Sequence, residues 1–551
     1  MFLNSLVMKY VRWFLREVSC YGWTYALVLF CQVLMVALAM SYVYLSKQLV
    51  DVATLQFRGE YDGDVSLVVY AAAFVALALL RPAVTSVMSY YRTKMTVGMS
   101  NGLRLRLFDN LLHLRNEFSK KYHSGDMLNR LQVDVSSIAS TFCSSVPDLF
   151  WAALQFIAAF VYLLLIDARL AWILVLVIPL AVFGGRYVMF KVRNLTLDIR
   201  RSDSDVQSHI QESIQHLALL QTLEYAETSS DSLEELQADN YEKNMRRARF
   251  SVIARTLVAL SFTAGYAVAF LWGVFGIAEG VVTYGLMTAI LQLVGQVQRP
   301  LVQASDRLPS LFHCTASIDR LIEIEHLPQE SLSDRHFIDG VAGVSLEHLS
   351  FRYPDGKSDV ISDLSFDFAP SSKTAIVGPT GIGKSTLIRL MLSLLTPTSG
   401  SVSLYSASEK VPVSEATRCN LVYVPQGNTL FSGTIRENLQ MGDPHASDAR
   451  MAEVLHTAAA DFVNDLPDGL DTQCFEAGGG LSEGQAQRIA IARALLRPGS
   501  ILLLDEFSSA LDNVTEDLLL QRLTATMTNR TMIFITHRDR VIDYCDSILR
   551  L

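Results

Sequence analysis

Residues Gly378-Pro379-Thr380-Gly381-Ile382-Gly383-Lys384-Ser385-Thr386 carry the spacing Gly-x-x-x-x-Gly-Lys-Ser. The glycines of such a loop let backbone N–H groups wrap phosphates, and the helix that follows adds the positive end of its dipole. Lys384 is then placed to neutralise the outer phosphates of a nucleotide, and the Ser385 hydroxyl to ligate Mg²⁺. A second set stands about 120 residues downstream, where Ile501-Leu502-Leu503-Leu504 ends in Asp505-Glu506. A continuous aliphatic run of this kind is the strand of a buried parallel sheet. At its carboxyl end Asp505 would hold Mg²⁺ through water, and Glu506 would polarise an attacking water. Together the two sets spell hydrolysis of a nucleoside triphosphate.

Between them lies Leu481-Ser482-Glu483-Gly484-Gln485. A turn of this type ahead of a helix offers a serine and free backbone N–H groups to an anion. The phosphate loop already supplies an anion site in the same chain, so the second turn reads as serving the nucleotide of another copy. Such a protein works as a pair.

The elements that position these residues are soluble α/β in texture, but only after about residue 305. Thr374-Ala375-Ile376-Val377 reads as the buried strand feeding the phosphate loop. Ahead of it, half of the 551 residues being hydrophobic and 18% charged is too apolar for an ordinary soluble enzyme. Six apolar stretches approach the ~20 residues a bilayer-spanning helix needs. They centre on 24–46, 66–90, 145–166, 169–190, 253–276 and 282–304, with only Asp167-Ala168-Arg169 between the third and fourth.

Two long connections, 91–144 and 191–252, are helical in composition and rich in Lys and Arg, whereas 47–65 leans acidic. Positive-inside bias puts both long connections, both termini and the soluble domain in the cytosol. The expected organisation is a transmembrane domain over 1–305, a linker over 306–343 and a nucleotide-binding domain over 344–551. The net charge of −9 argues against nucleic acid as a partner. Seven scattered cysteines with no Cys-x-x-Cys pair indicate neither a zinc site nor a disulfide framework.

Arranged in this order, the motifs resemble the ATP-binding cassette (ABC) transporters, specifically exporter-type half-transporters, over nearly the whole chain. The resemblance implies an all-α six-helix transmembrane domain followed by an α/β P-loop nucleotide-binding domain, with ATP and Mg²⁺ as cofactors. It also adds roles by position. Tyr353, just before Pro354, would stack on adenine. Gln426, in Val424-Pro425-Gln426-Gly427, would join Ser385 and Asp505 at the metal and link it to the membrane domain. His537, in Thr536-His537-Arg538, would contact the γ-phosphate. Asp512, in Ser509-Ala510-Leu511-Asp512, belongs to the D-loop.

Ser482, Gly484 and Gln485 of a partner chain would close over the ATP. Glu476 and Gly478 resemble the element before that signature. Phe118, Gly125–Arg130 and Asp134 resemble the first coupling loop.

Three departures stand out. Glu483 replaces the usual signature glycine and puts a carboxylate near a γ-phosphate unless it turns outward. Phe507 stands where alanine is common and reads as packing variation. The chain ends at Leu551, where similar proteins continue through a further strand and helix.

The implied function is ATP-hydrolysing export or flipping of an amphipathic or hydrophobic small molecule, lipid or peptide by alternating access. The partner is a second half-transporter, a homodimer being favoured over a heterodimer. The alternatives are a heterodimer subunit with one weakened site, or an ATP-gated channel or regulator on the same fold. The expected location is multi-pass in a bacterial inner membrane. Arg81, inside the second span, is a candidate for holding an acidic substrate or, more simply, a structural arginine paired with carbonyls or a neighbour.

Overall fold

The computed structural model describes residues 2–61, 63, 65–115, 124–330, 334–354, 356, 358–475 and 480–551, with backbone alone for 2–7, 124, 173–191, 193 and 254. The chain divides into two compact units. One comprises Met1–Phe108 with Gly125–Glu325, and the other Asp109–Ser124 with His326–Leu551.

The first unit is all helix. A short helix α1 (Phe2–Ser19) precedes α2 (Gly22–Arg58), α3 (Leu67–Leu112), α4 (Gly125–Ile166), α5 (Ala168–Gln215), α6 (Ala226–Ala278) and α7 (Tyr284–Glu325). Among the described residues, α2, α3, α4 and α6 are long and apolar enough to cross a membrane. The stretch 169–190 lies in α5, where most side chains fall outside the description. The stretch 282–304 lies in α7, and its Gln292, Gln296, Gln298 and Arg299 keep that helix out of the apolar set.

Local chemistry sets the turns. Asp167 caps α5, its Oδ1 accepting from the N–H groups of Arg169 at 2.7 Å and Leu170 at 3.1 Å. This fixes the reversal after α4 in a single residue. Gly59 ends α2 in the left-handed conformation (φ +72°), as the last turn of a helix often requires. At the start of α7, Asp51 Oδ1 accepts from the Gly285 N–H at 2.9 Å. A Cβ on Gly285 would lie 2.2 Å from the Lys47 carbonyl, so only glycine lets α7 approach α2 this closely.

The buried centre is small and aliphatic, including Val43, Ala159, Leu163, Ala269, Ala289 and Leu293. Side-chain amides cross it: Gln155 Nε2 donates to Gln296 Oε1 at 2.7 Å, and Gln292 Nε2 to Ser46 Oγ at 2.9 Å. In an apolar surrounding such bonds join helices that the hydrophobic effect cannot. Helix α4 contains two π turns, Arg130–Asp134 and Thr141–Ser145. The first holds Asp134, which accepts from Arg320 Nε of α7 at 2.7 Å and from the Ser317 hydroxyl at 2.8 Å. Nearby Arg130 donates to Glu323 at 3.0 Å and to Asp126 at 3.0 Å. Phe118 lies outside the described residues.

The second unit is α/β. Strands β1 (Gly343–Phe351), β2 (Ile361–Phe368), β4 (Ser399–Tyr405) and β5 (Lys410–Pro412) form an antiparallel sheet in the order β2-β1-β4-β5. A parallel five-stranded sheet runs β11-β3-β10-β9-β6, from β3 (Lys373–Val377), β6 (Leu421–Val424), β9 (Ile501–Asp505), β10 (Thr531–Ile535) and β11 (Ser547–Arg550), while the short β7 (Gly433–Thr434) and β8 (Gln473–Cys474) pair with each other. All five residues of β9 are buried, as are all five of β10. Each fully buried Leu or Ile contributes roughly 1.5–3 kcal/mol of transfer free energy, which is why the acid-bearing end of β9 is held rigidly. Helix α8 (Lys384–Met391) follows β3, α11 (Glu483–Leu495) precedes β9, and α12 (Asn513–Thr526) precedes β10; α9 (Ile435–Gln440) and α10 (Asp448–Thr457) lie between β6 and α11.

Candidate nucleotide site

In open parallel sheets the strand carboxyl ends are where ligands bind. Four such ends bring the expected residues together here. From β3 the chain enters the phosphate loop, where Gly381 (φ +85°) and Gly383 (φ +116°) adopt left-handed backbone. A Cβ on Gly383 would also sit 2.9 Å from Val360 Cγ1, so the loop tolerates no side chain there. Gly378, Pro379, Thr380 and Ile382 complete it, and α8 starts at Lys384.

Lys384 is buried, and its ammonium donates to the carbonyls of Gly378 at 2.7 Å and Pro379 at 3.2 Å and to His537 Nε2 at 2.8 Å. Burial pulls the Lys384 pKa below its ordinary value, partly opposed by the charges of Glu506 and Asp505. The lysine is thus a desolvated cation at the mouth of an N–H-lined loop, the environment in which a phosphate binds most strongly.

From the end of β9, Asp505 is 4% exposed. Burial raises its pKa, against hydrogen bonds from Tyr423 and Ser385 that pull it down. The Tyr423 hydroxyl stands 3.3 Å from Asp505 Oδ2. The next residue, Glu506, has φ +45°, a left-handed conformation costly for a non-glycine residue. Its N–H is fixed to the Ile535 carbonyl at 3.0 Å and its carbonyl accepts from Gln487 Nε2 at 3.3 Å. Its carboxylate accepts from Gln426 Nε2 at 2.6 Å and lies 3.4 Å from His537 Nε2. Strands β6, β9 and β10 therefore deliver Gln426, Glu506 and His537 to one point beside Lys384. Strain at Glu506 is held in place by main-chain bonds on both sides.

Tyr353 reaches the same loop from the other sheet, its hydroxyl 3.2 Å from Thr386 Oγ1 and its ring packed edge-on against Phe351 at 4.9 Å.

The remaining residues sit elsewhere. Ser482 is the N-cap of α11: its Oγ accepts from the Gln485 N–H at 3.2 Å, and its own N–H donates to Gln485 Oε1 at 2.9 Å. Among the described residues no hydrogen bond joins this capping box to the phosphate loop. Gly484 packs on the D-loop, where a Cβ would lie 2.8 Å from the Ala510 carbonyl. Asp512 caps α12, accepting from the N–H groups of Val514 and Thr515, each at 3.1 Å. Glu483 is the first residue of α11 and exposed, where its charge meets the positive end of the helix dipole. Phe507 is fully buried with its ring 5.6 Å from Phe534. Glu476 and Gly478 fall outside the described residues. In α3, the Arg81 carbonyl accepts from Thr85 Oγ1 at 2.9 Å.

Sequence reasoning missed Tyr423 and Gln487. Tyr423 precedes Val424-Pro425-Gln426 on β6, and a tyrosine on a strand adjacent to the acid-bearing one was the available signal. Gln487 occupies the buried face of α11, one turn past Gly484.

Residues 25–301, just over half of the chain, match the family described as the ABC transporter transmembrane region, and residues 361–509 match the ABC transporter domain. A fatty acid ABC transporter ATP-binding/permease protein of Mycobacterium bovis is 29% identical over 460 residues, covering 81% of this chain and 73% of that protein. An ATP-dependent lipid A-core flippase of Pseudomonas fluorescens is 29% identical over 466 residues, covering 84% and 77%. A multidrug resistance ABC transporter ATP-binding and permease protein of Lactococcus lactis is 28% identical over 503 residues, covering 89% and 82%. The structure of a bacterial Atm1-family ABC exporter with ATP bound superposes with a TM-score of 0.78 at 24% identity, covering 94% of this chain and 92% of that one.

Proposed function

This chain belongs to the ABC transporters, as a half-transporter whose helical transmembrane region is fused to an ATP-hydrolysing cassette, and from that premise we propose how it works. Two identical copies pair in a bacterial inner membrane, with cassettes and termini in the cytosol, and export or flip an amphipathic molecule by alternating access. The observation that carries this reading is the split of the site. Lys384, Gln426, Glu506 and His537 converge within one chain, while the side chains of Ser482 and Gln485 each bond the other's main chain at a helix N-terminus, with no hydrogen bond to the phosphate loop among the described residues. A helix N-terminus with a serine cap is suited to an anion brought by a second copy.

In the proposed cycle Tyr353 stacks on adenine, and Gly378–Thr386 cradle the phosphates. Ser482, Gly484, Gln485 and Asp512 of the partner complete the enclosure. The fit to Mg²⁺ rests on the donor set: a buried carboxylate (Asp505), a hydroxyl (Ser385) and an amide oxygen (Gln426), all hard oxygen donors. Mg²⁺ held there would neutralise charge on the transferred phosphoryl group. Glu506 takes the proton of the attacking water, held by Gln426 on one oxygen. His537 turns from Lys384 toward the γ-phosphate once the lysine is drawn to phosphate instead. Enclosure of ATP by two cassettes favours one orientation of the membrane helices, and loss of phosphate releases it.

Glu483 favours a second reading, a heterodimer with one weakened site, because its carboxylate shares the helix end that an incoming γ-phosphate would use.

The test is purification of this chain alone in lipid, with subunit stoichiometry and ATP hydrolysis measured on one sample. An active homodimer is expected. An inactive chain that gains activity only with an unlike partner would replace this reading with the second.

A further inference from the structure

The helical unit has a half-open cavity of about 410 Å³ among α2, α3, α4 and α7, a size suited to part or all of a small ligand. Its largely apolar lining is interrupted by a cluster of charges. Arg92 Nη1 of α3 and Arg307 Nη2 of α7 both bind Asp148 of α4, at 2.8 and 3.0 Å. Two guanidinium groups thus share one carboxylate. Arg92 is the enclosed member, with 20% of its side chain exposed against 49% for Arg307. Its Nε and Nη2 are buried without a hydrogen-bond partner among the described residues. That pair forms the edge of the guanidinium that grips a carboxylate or phosphate with two parallel bonds. On the same lining Gln32 is 1% exposed, and its Oε1 likewise lacks a partner. Met88 and Trp151 supply an apolar wall.

We propose that this cavity binds the acidic head of the transported amphiphile, a phosphate monoester or carboxylate carried on an apolar body. The acid engages the Nε–Nη2 edge of Arg92 once the side chain turns that edge, which has no open surface in this structure, into the cavity; Gln32 Oε1 accepts the O–H of a singly protonated phosphate monoester, and the apolar body lies along Met88 and Trp151. This rests on the transport reading above and narrows its substrate class.

Two physical points support it. Buried, unpartnered N–H groups on a charged side chain are costly, and a structural ion pair alone leaves them unmet. Arg92, Asp148 and Arg307 also stand together at the ends of their apolar stretches, on the side that charge bias assigns to the cytosol and from which an exported molecule would enter. Asp306 on the lining brings the sum of formal charges to zero, but it is exposed. Recognition therefore depends on the enclosed guanidinium's bonds and not on a net field. Asp148 takes Nη1 of Arg92, and its negative charge repels an acidic ligand at the adjoining edge, so its removal has the opposite sign from removal of Arg92.

The test uses the full chain in nanodiscs of neutral phosphatidylcholine, titrated with dodecyl phosphate, dodecyl maltoside or inorganic phosphate. Binding is read by tryptophan fluorescence, and ATP hydrolysis is followed in parallel. Dodecyl phosphate should half-saturate at least about tenfold below dodecyl maltoside, the effect of one charge-assisted bond pair. Arg92→Gln should erase that preference, Arg92→Lys should restore part of it, and Asp148→Asn should enlarge it. Absence of preference in the wild type, or its survival in Arg92→Gln, overturns the proposal. Inorganic phosphate binding as tightly as dodecyl phosphate would also overturn it, leaving an ion site without an amphiphile. If Arg92→Gln does not fold, Asp148→Asn decides by the sign of its change. ATP turnover without anion preference defeats this inference alone, whereas a wild type that never hydrolyses ATP defeats the transport reading first.

Discussion

Replacing Glu506 by glutamine separates chemistry from structure at the site. The two side chains have nearly the same shape, and both bear the same left-handed backbone cost at φ +45°. The main-chain bonds to Ile535 and Gln487 remain, and an amide oxygen still accepts from Gln426 Nε2. What is lost is the base. General-base catalysis contributes about 10²–10⁴-fold, or about 2.7–5.4 kcal/mol of barrier at 1.36 kcal/mol per decade. Glu506→Gln should therefore hydrolyse ATP at least about 100-fold more slowly in proteoliposomes while retaining bound ATP in a closed dimer. A melting temperature within about 2 °C of wild type would show that the fold is intact. Glu506→Gly is the companion variant. It relieves about 1–3 kcal/mol of backbone strain and should melt higher than the glutamine variant, yet be equally inactive. Turnover by Glu506→Gln within about tenfold of wild type would refute the assignment of the base.

Two further outcomes follow from the same geometry. Burial raises the pKa of Asp505, so the folded protein holds its proton more readily than the unfolded chain, and the ionised side chain weakens the fold at neutral pH. Asp505→Asn should abolish hydrolysis but raise the melting temperature of the nucleotide-free protein at pH 7.5. That gain should shrink on acidification, since below the folded pKa the wild-type carboxyl is itself neutral; a lower melting temperature at pH 7.5 would contradict the reasoning. Ser482→Ala removes a capping box worth about 1 kcal/mol and should lower stability only by that amount. Its hydrolysis should fall more than tenfold, because the hydroxyl serves a partner's ATP; activity within about twofold of wild type would reduce Ser482 to a cap.

The nucleotide half was legible because its chemistry is local. Thr374–Thr386 and Ile501–Glu506 are each contiguous, and each announces a buried strand by its aliphatic run, the first also announcing its loop by glycines. Tyr423 and Gln487 were not legible, since each acts through a partner on another element: Tyr423 through Asp505 across β6 and β9, Gln487 through the main chain of Glu506. Helix α7 shows the limit for apolar stretches, because its glutamines dilute the hydropathy signal while bonding neighbouring helices. The Arg92–Asp148–Arg307 cluster was hidden for a related reason. Its members are 56 and 159 residues apart, and each alone reads as a charge near a span end. Only the packing of α3, α4 and α7 makes them one group.

The central claim is that each ATP is held by residues of two chains, and complementation tests it most directly. Lys384→Ala spoils the phosphate loop and Ser482→Ala spoils the turn that would close over a partner's nucleotide, so each homodimer has two spoiled sites. When the two variants are mixed and reassembled in lipid, half of random pairs are mixed, and each mixed pair has one intact site of two. Hydrolysis up to about a quarter of the wild-type rate is expected, far above either variant alone. A mixture no more active than its inactive components would show that the turn at Ser482 does not complete the ATP site of a second copy.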